Sequence, residues 1–164
     1  MSDGRKQPPG RGPAVAVRRR GKVAGIDPRT VARRGRLILE ALGETEAELS
    51  VLLVTDESIR ELNRDYRGVD RATDVLSFPQ REPGGRSTPG DLEVLGDVVI
   101  SVETAARQAA EHSCTLLDEV NRLLVHGVLH LGGFDDGTPR QRKLMRTAEA
   151  AVMSRLARGG KTGG

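Results

Sequence analysis

The sequence predicts an α+β fold, in which a small mixed sheet of about four strands packs against about five helices. Short Val- and Leu-rich runs typical of strands alternate with helical patterns over the first two thirds of the chain, and three helical patterns follow one another in the last third. The length of 164 residues suits one domain with a single core. No stretch approaches 18 consecutive apolar residues, so no membrane-spanning helix is expected.

The first strand is predicted from "AVAVRRR" at 14–20, and the first helix from the residues that follow it and favour a helix start and a helix end. Asp27 suits the N-cap of a helix over 28–42, and Pro28 suits its first position because the missing amide hydrogen would be unpaired there anyway. Gly43 suits the position after the helix, where a left-handed backbone is common.

Two further strands and a helix follow in the middle of the chain. "ELSVLLVT" at 48–55 predicts a buried strand, and Asp56 is expected to cap a helix over 57–66. "TDVLSFP" at 73–79 predicts a strand that ends at its proline, and "LGDVVIS" at 95–101 predicts another. A polar, Gly/Pro-rich loop over 80–91 separates these last two strands.

Helices are predicted over 102–112, 115–131 and 139–157. The apolar residues of the second form one broad stripe, so this helix is expected to pack deeply. Pro139 begins the third helix.

The two ends of the chain differ from the rest in composition. Residues 1–13 are predicted to be a disordered basic tail, residues 158–164 a second disordered tail, and residues 14–157 a single domain. Of the 26 Lys and Arg residues, 11 lie within residues 1–36, alongside only two of the 23 Asp and Glu residues. Such an arm either attracts polyanions without sequence specificity or only solubilises the chain, and the sequence leaves both open.

The single cysteine, Cys114, excludes an internal disulfide and fits a reducing cytoplasm, which is the expected location. The basic N-terminus lacks the apolar segment of a secretory signal. With one Tyr, two Phe and no Trp, stacking of nucleobases on aromatic side chains is not expected.

The stretch "LLVHGVLHLGGFDDGTP" contains two of the three histidines and predicts a metal site. His126 and His130 lie four residues apart on the predicted helix, so both imidazoles can reach one ion. Gly132 and Gly133 end the helix, and Asp136 can return as a third ligand. Asp135 is the rival for that role, and the spacing favours Asp136.

The alternative is that both histidines are ordinary residues at the edge of the core. Gly127 speaks against it, because a glycine inside a helix costs about 1 kcal/mol relative to alanine and indicates a close backbone approach. Gly127 also occupies the position where zinc proteases of the H-E-x-x-H type carry their glutamate base, which excludes that peptidase mechanism.

Three ordered blocks resemble the YbeY family of bacterial metal-dependent endoribonucleases over residues 45–155. "VHGVLHLGGFDD" is similar to the family's H-G-x-L-H-L-x-G-Y-D-H signature. "SIRELNRDYRGVDRATDVLSFP" is similar to its S-x-x-x-L-N-x-x-Y-R-x-x-D-x-P-T-D-V-L-S-F-P block, and "LGDVVIS" to its L-G-D strand. Asp136 stands where the family has a third histidine, Phe134 where it has Tyr, and Ala72 where it has Pro.

The resemblance implies a single metallo-hydrolase domain with a zincin-like metal site on a central helix, cleaving single-stranded RNA. It further implies roles in 16S rRNA 3′-end maturation and ribosome quality control, with ribosomal RNA and the small ribosomal subunit as partners. The expected cofactor is one Zn²⁺ held by His126, His130 and Asp136. Because the third ligand is an oxygen donor, Mn²⁺ or Fe²⁺ is also possible.

Arg67 matches the family's arginine that is important for cleavage, and it is expected to be catalytic and to pair with the phosphate. Asn63 and Ser77 are further candidates for substrate binding, although each could equally satisfy the backbone around it. Glu119 and Arg122 are interpreted as an ordinary surface ion pair.

Two other functions stay open from the sequence. One is a metal-dependent hydrolase of another phosphoester or of a peptide. The other is a non-enzymatic ribosome-binding factor with a structural metal. Three ligands with an open position favour catalysis, because structural zinc normally takes four protein ligands.

Overall fold

A computed structural model of the protein describes residues 12–80 and 93–162. Residues 1–11 of the predicted basic tail, most of the predicted loop at 80–91 and the last two residues of the chain lie outside the described residues. Within these ranges the chain forms four strands and five helices, which confirms the predicted α+β class. In chain order they are β1 (Ala14–Arg19), α1 (Pro28–Ala41), β2 (Ala47–Val54), α2 (Asp56–Arg67), β3 (Val75–Pro79), β4 (Glu93–Ser101), α3 (Val102–Glu111), α4 (Leu116–Leu131) and α5 (Pro139–Thr162).

The sheet is mixed, with the strand order β1-β2-β4-β3. β1, β2 and β4 are parallel, whereas β3 runs antiparallel to β4 and forms one edge of the sheet. Gly96 lies where β4 passes the end of β3, with φ +144°, and a Cβ there would lie 2.3 Å from the carbonyl oxygen of Phe78. Only glycine lets the two strands approach this closely.

The two faces of the sheet are covered unequally. On one face, the larger cluster of buried residues joins β2 and β4 to α1, α4 and α5. On the other face, a smaller cluster contains Val54, Ile59, Leu76 and Val99 beneath α2. α4 packs deeply as its apolar stripe predicts, with ten of its sixteen residues buried. None of the helices in the described ranges is long and apolar enough to cross a lipid bilayer.

The ends of two helices differ from prediction. Asp56 is not the cap of α2, because Thr55 caps the helix by accepting a hydrogen bond from the Ser58 amide. The Asp56 carboxylate instead accepts hydrogen bonds of 2.6 Å from the Ser101 and Thr104 hydroxyls, which ties α2 to α3. α5 continues to Thr162, beyond the predicted end of this helix at residue 157.

The caps of α1 agree with prediction. The Asp27 side chain accepts a hydrogen bond from the Arg29 amide, and Pro28 is the first helical residue. Gly43 follows the helix with φ +76°, the left-handed conformation for which glycine is suited.

Candidate metal centre

The structure brings the three predicted metal ligands together at the C-terminal end of α4. The Nε2 atoms of His126 and His130 lie 3.1 Å apart. The Oδ2 atom of Asp136 lies 3.7 Å from the Nε2 atom of His130. The donor atoms of the three side chains all lie within 4.8 Å of one another, which makes them the one cluster of possible metal ligands in the described ranges.

The orientation of both imidazoles is fixed through their other nitrogen. Nδ1 of His126 lies 2.6 Å from Oε2 of Glu149, and Nδ1 of His130 lies 3.0 Å from the carbonyl oxygen of Phe134. Both partners accept hydrogen bonds, so Nδ1 of each ring is the donor and Nε2 of each ring faces the other. Two Nε2 atoms that face each other this closely can act as ligands of one metal ion.

The spacing fits a metal ion. Two nitrogens that share a tetrahedral zinc at Zn–N distances of about 2.0–2.1 Å lie about 3.3 Å apart, close to the observed separation of the two Nε2 atoms. The Glu149–His126 contact is the carboxylate–histidine pair that commonly orients a metal-binding imidazole. The residues present therefore suit a divalent cation with two nitrogen ligands and one oxygen ligand.

The loop after α4 places Asp136 rather than Asp135 toward the histidines. Gly133 has φ +102°, and the Phe134 amide then donates to the carbonyl of Leu129 at 3.0 Å, which turns the chain back along the helix. Asp135 accepts a hydrogen bond from the Asp136 amide through its own carboxylate. The side chain of Asp136 is left to approach His130.

The ligand cluster opens into a cleft of about 530 Å³ between α4, the following loop and the edge strand β3. The cleft is polar and part-open to solvent. Its lining residues are Arg67, Thr73, Asp74, Val75, Ser77, Pro79, His126, His130, Gly133, Phe134, Asp135 and Asp136.

A close approach at Gly127 joins the ligand helix to the opposite wall. The Ser77 hydroxyl donates to the Gly127 carbonyl at 2.9 Å. A Cβ at position 127 would lie 2.7 Å from Cγ1 of Val98, so no other residue fits without movement of the strand. The predicted close backbone approach at this glycine is confirmed, and it sets the distance between His126 and β3.

The predicted substrate-binding residues take different positions. Arg67, the last residue of α2, lines the cleft, and it is exposed and forms no ion pair with any residue in the described ranges. Ser77 also lines the cleft, although its hydrogen is donated to Gly127. Asn63 is buried and is not part of the lining. Its amide donates to the carbonyl of Arg71 at 2.8 Å, so it holds the turn between α2 and β3.

The sequence interpretation of Glu119 and Arg122 as a surface pair is wrong, because the Glu119 side chain is only 1% exposed. Its carboxylate accepts hydrogen bonds from Arg122 and, at 2.9 Å, faces Nδ1 of His112. The Cys114 thiol lies 3.8 Å away. Burial opposes the charge of Glu119, but the hydrogen bonds from Arg122 and His112 outweigh it and lower its pKa.

This buried pair connects to the cleft through polar side chains. The Arg122 guanidinium also donates to Gln108, whose amide donates to Asp74 at 3.2 Å. Asp74 lines the cleft, so one end of the network reaches the candidate site.

Sequence reasoning missed Glu149 as the partner of His126. No periodic pattern links the two residues, because His126 lies 23 residues earlier in the chain.

A pair of histidines on a helix, with a carboxylate from the next turn beside an open cleft, is an arrangement typical of the class of metal-dependent hydrolases. Comparison with known proteins agrees with this class. Residues 24–157 match the family described as "Endoribonuclease YbeY". The chain belongs to the YbeY family.

Individual relatives support the assignment. A protein named Endoribonuclease YbeY from Anaeromyxobacter sp. (strain Fw109-5) is 48% identical over 124 residues, which are 76% of this chain and 62% of that protein. The chain therefore spans less than two thirds of that relative. The protein of the same name from Pelotomaculum thermopropionicum is 45% identical over 148 residues, which are 88% of this chain and 97% of the relative.

A solved structure shows the same fold. The solution structure of TM1509 from Thermotoga maritima superposes with a TM-score of 0.63, covering 91% of this chain and 93% of that chain at 24% sequence identity. The likeness concerns the fold alone, and the zincin-like character of the metal site stays a prediction.

Proposed function

We propose that the protein is a metal-dependent endoribonuclease that cleaves single-stranded RNA. The observation that carries this proposal is the convergence of the His126, His130 and Asp136 donor atoms within 4.8 Å, beside a cleft that Arg67 lines. Membership in the YbeY family supports the reaction class. The proposal extends to 16S rRNA 3′-end maturation and ribosome quality control in the cytoplasm, with the small ribosomal subunit as partner.

The chain's own residues have distinct tasks in this proposal. His126, His130 and Asp136 hold one Zn²⁺, with Mn²⁺ or Fe²⁺ as alternatives that tolerate the carboxylate ligand. A bound divalent ion supplies Lewis acidity toward a phosphoryl oxygen and lowers the pKa of water. Glu149 keeps His126 with Nε2 facing the cleft.

Arg67 binds the substrate phosphate. Its guanidinium is free of ion pairs with the residues that the structure describes, so no carboxylate among these residues competes with a phosphate for its planar donors. The Ser77 hydroxyl donates its hydrogen to Gly127, so its oxygen can still accept a hydrogen bond from the substrate. Asn63 contributes indirectly, because it holds the turn that follows Arg67. The basic N-terminal arm is proposed to add contacts to RNA outside the cleft.

The direct test is RNA cleavage by the purified protein with and without a chelator, together with metal analysis. We expect one bound divalent ion per chain and cleavage of single-stranded RNA that stops on chelation and returns with zinc. Cleavage that continues after complete metal removal would contradict the proposal, as would activity on generic phosphoesters or peptides but not on RNA.

A matched pair of variants isolates the phosphate-binding role. Arg67→Ala is expected to lose cleavage while keeping its metal, whereas Arg64→Ala, on the same helix but outside the cleft, is expected to cleave normally. If Arg67→Ala and His130→Ala both bind RNA like the parent protein and the cleavage measured in the preparation is unchanged, that cleavage does not arise at this site, and the ribosome-binding factor with a structural metal becomes the favoured function. A 2′,3′-cyclic phosphate at the product ends would identify the RNA 2′-OH as nucleophile.

A further inference from the structure

The chain has three aromatic side chains, of which one lines the cleft and the other two contact each other near the edge strand β3. Phe134 lines the cleft, and Tyr66 immediately precedes Arg67 at the end of α2. Phe78 lies in β3 between two lining residues, so its side chain points to the opposite face of the strand, where it packs against the smaller buried cluster beneath α2. Tyr66 and Phe134 lie outside the buried core, which is built from aliphatic side chains. Phe134 is the aromatic side chain in the cleft itself, and Tyr66 is next in sequence to the lining residue Arg67.

Two of these rings are open to solvent. Tyr66 is 70% exposed and Phe134 is 37% exposed. The Tyr66 ring contacts Phe78 edge to face, with ring centroids 5.4 Å apart and an angle of 67° between the planes. That contact supports one side of the tyrosine and leaves most of its surface available to a ligand.

The charges of the cleft give a reason for such a ligand contact. Three carboxylates line the cleft, from Asp74, Asp135 and Asp136, against the single guanidinium of Arg67. With three carboxylates against one guanidinium, the cleft attracts a polyanion only weakly even when a divalent cation is bound. Phosphate contacts alone therefore supply only part of the free energy of RNA binding. Nucleobases, by contrast, carry flat uncharged faces that stack on aromatic rings regardless of sequence.

We propose that Tyr66 and Phe134 stack on unpaired nucleobases of a single-stranded RNA whose phosphate is bound by Arg67. The inference rests on the proposed function and names how that site selects its substrate. A base in a duplex is stacked between its neighbours and offers no free face, so stacking on these rings favours single strands. The scarcity of aromatic residues argued against stacking, but their positions favour it.

The backbone of Phe134 ties one stacking position to the metal site. Its amide donates to Leu129, and its carbonyl accepts from Nδ1 of His130, each at 3.0 Å. The backbone of Phe134 is therefore held next to His130, one of the proposed metal ligands. A base stacked on Phe134 fixes which phosphate lies at the reaction centre.

The single tyrosine provides a direct test, because the chain contains no tryptophan and its emission reports on Tyr66 alone. The full chain, treated with a chelator to prevent cleavage, is titrated with end-labelled single-stranded RNA, and binding is followed independently by anisotropy. We expect ordinary RNA to quench the tyrosine emission, and the same RNA with abasic residues to bind more weakly without quenching. Binding without quenching, or equal quenching by abasic RNA, would overturn the role of Tyr66.

Variants extend the test to Phe134. Tyr66→Leu and Phe134→Leu are each expected to weaken binding of ordinary RNA by about fivefold or more, with little effect on abasic RNA. Phe134→Tyr keeps a ring and should retain affinity. Leu144→Ala removes an apolar side chain that is 55% exposed outside the cleft lining, and it serves as the matched control.

The two proposals fail in different ways. If the parent protein neither binds nor cleaves RNA, the proposed function is wrong and stacking falls with it. If it cleaves single-stranded RNA and both leucine variants bind ordinary RNA like the parent protein, the nuclease assignment stands and the stacking proposal is refuted.

Discussion

Helix α4 carries a carboxylate–histidine pair at each end, and the two pairs differ in which partner is at the centre. Near its N-terminus, Glu119 is the buried centre and His112 is a half-exposed outer partner, 2.9 Å away. Near its C-terminus, His126 is the centre and Glu149 is the outer partner, 2.6 Å away. The same two functional groups thus occur in opposite arrangements on one helix.

The difference decides what each pair can bind. The acceptor atoms of Glu119 are used by Arg122, His112 and Cys114, so its charge is compensated inside the protein. Glu149 occupies only Nδ1 of His126, and Nε2 faces His130 beside the open cleft. The carboxylate at the centre of the first pair is compensated within the protein, whereas the histidine at the centre of the second pair leaves Nε2 for the proposed metal ion.

The largest effect is expected at the C-terminal pair when its second histidine is removed. His130→Ala takes away one of the two proposed nitrogen ligands, so we expect loss of the bound metal. RNA cleavage should fall by more than about 100-fold, because even mutation of a residue that only orients a metal ligand costs up to about 100-fold. Metal content by elemental analysis and initial rates measure both. His112→Ala removes the histidine of the other pair and should keep full metal content. Equal metal content in the two variants would contradict the comparison.

A smaller effect is expected when the orienting carboxylate is removed. Glu149→Ala should weaken zinc binding by about 10- to 100-fold, because His126 loses the partner that fixes its ring. Zinc competition with a chromophoric chelator measures this without relying on activity. Glu149→Gln keeps an oxygen that accepts a hydrogen bond from Nδ1 of His126. Its zinc affinity should therefore lie between those of the parent protein and Glu149→Ala. An unchanged zinc affinity in Glu149→Ala would remove Glu149 from the site.

The N-terminal pair should respond in stability rather than in metal binding. Glu119→Ala leaves the part-buried Arg122 without its acceptor, and we expect the free energy of unfolding to fall by about 1–3 kcal/mol. Urea denaturation measures this value, and zinc affinity of the folded variant should be unchanged. The exposed Glu111→Ala should change stability by less than about 0.5 kcal/mol. A stability loss no larger than that of Glu111→Ala would show that the buried pair contributes nothing.

The smallest expected effect is a difference in acid sensitivity. The pKa of Glu119 is lowered in the folded protein, since the hydrogen bonds from Arg122 and His112 outweigh the opposing effect of burial. Its contribution to stability is therefore present above the unfolded pKa of about 4.3 and is lost as the pH falls through the lower folded value. Glu119→Gln should show a shallower decrease of stability in this acid range. An identical slope in both proteins would refute the assignment.

Local sequence signals predicted most of the fold, because they act over neighbouring residues. The Asp27–Pro28 start of α1, the apolar stripe of α4 and the glycines after it all lie where expected. The exception at α2 concerns two adjacent residues that can both cap a helix. Thr55 takes that position since Asp56 is drawn to hydroxyls on α3. Such a contact depends on tertiary packing that the sequence does not display.

The candidate site shows the same division. Spacing along one helix and its following turn was enough to bring His126, His130 and Asp136 together. Glu149 was missed because its contact with His126 depends on how α5 packs against α4. Glu119 was misjudged because an acidic and a basic residue three positions apart usually lie on a solvated surface, and burial by neighbouring helices is invisible in that pattern.

The contact at Gly127 has a consequence for the size of molecule that the cleft admits. The hydroxyl of Ser77 reaches the backbone of the residue next to His126, with no side chain between helix and strand. A methyl group at position 127 would push α4 away from the sheet and so widen the cleft between α4 and β3. The absence of a side chain at Gly127 therefore sets the width of the cleft that is available to an incoming polymer.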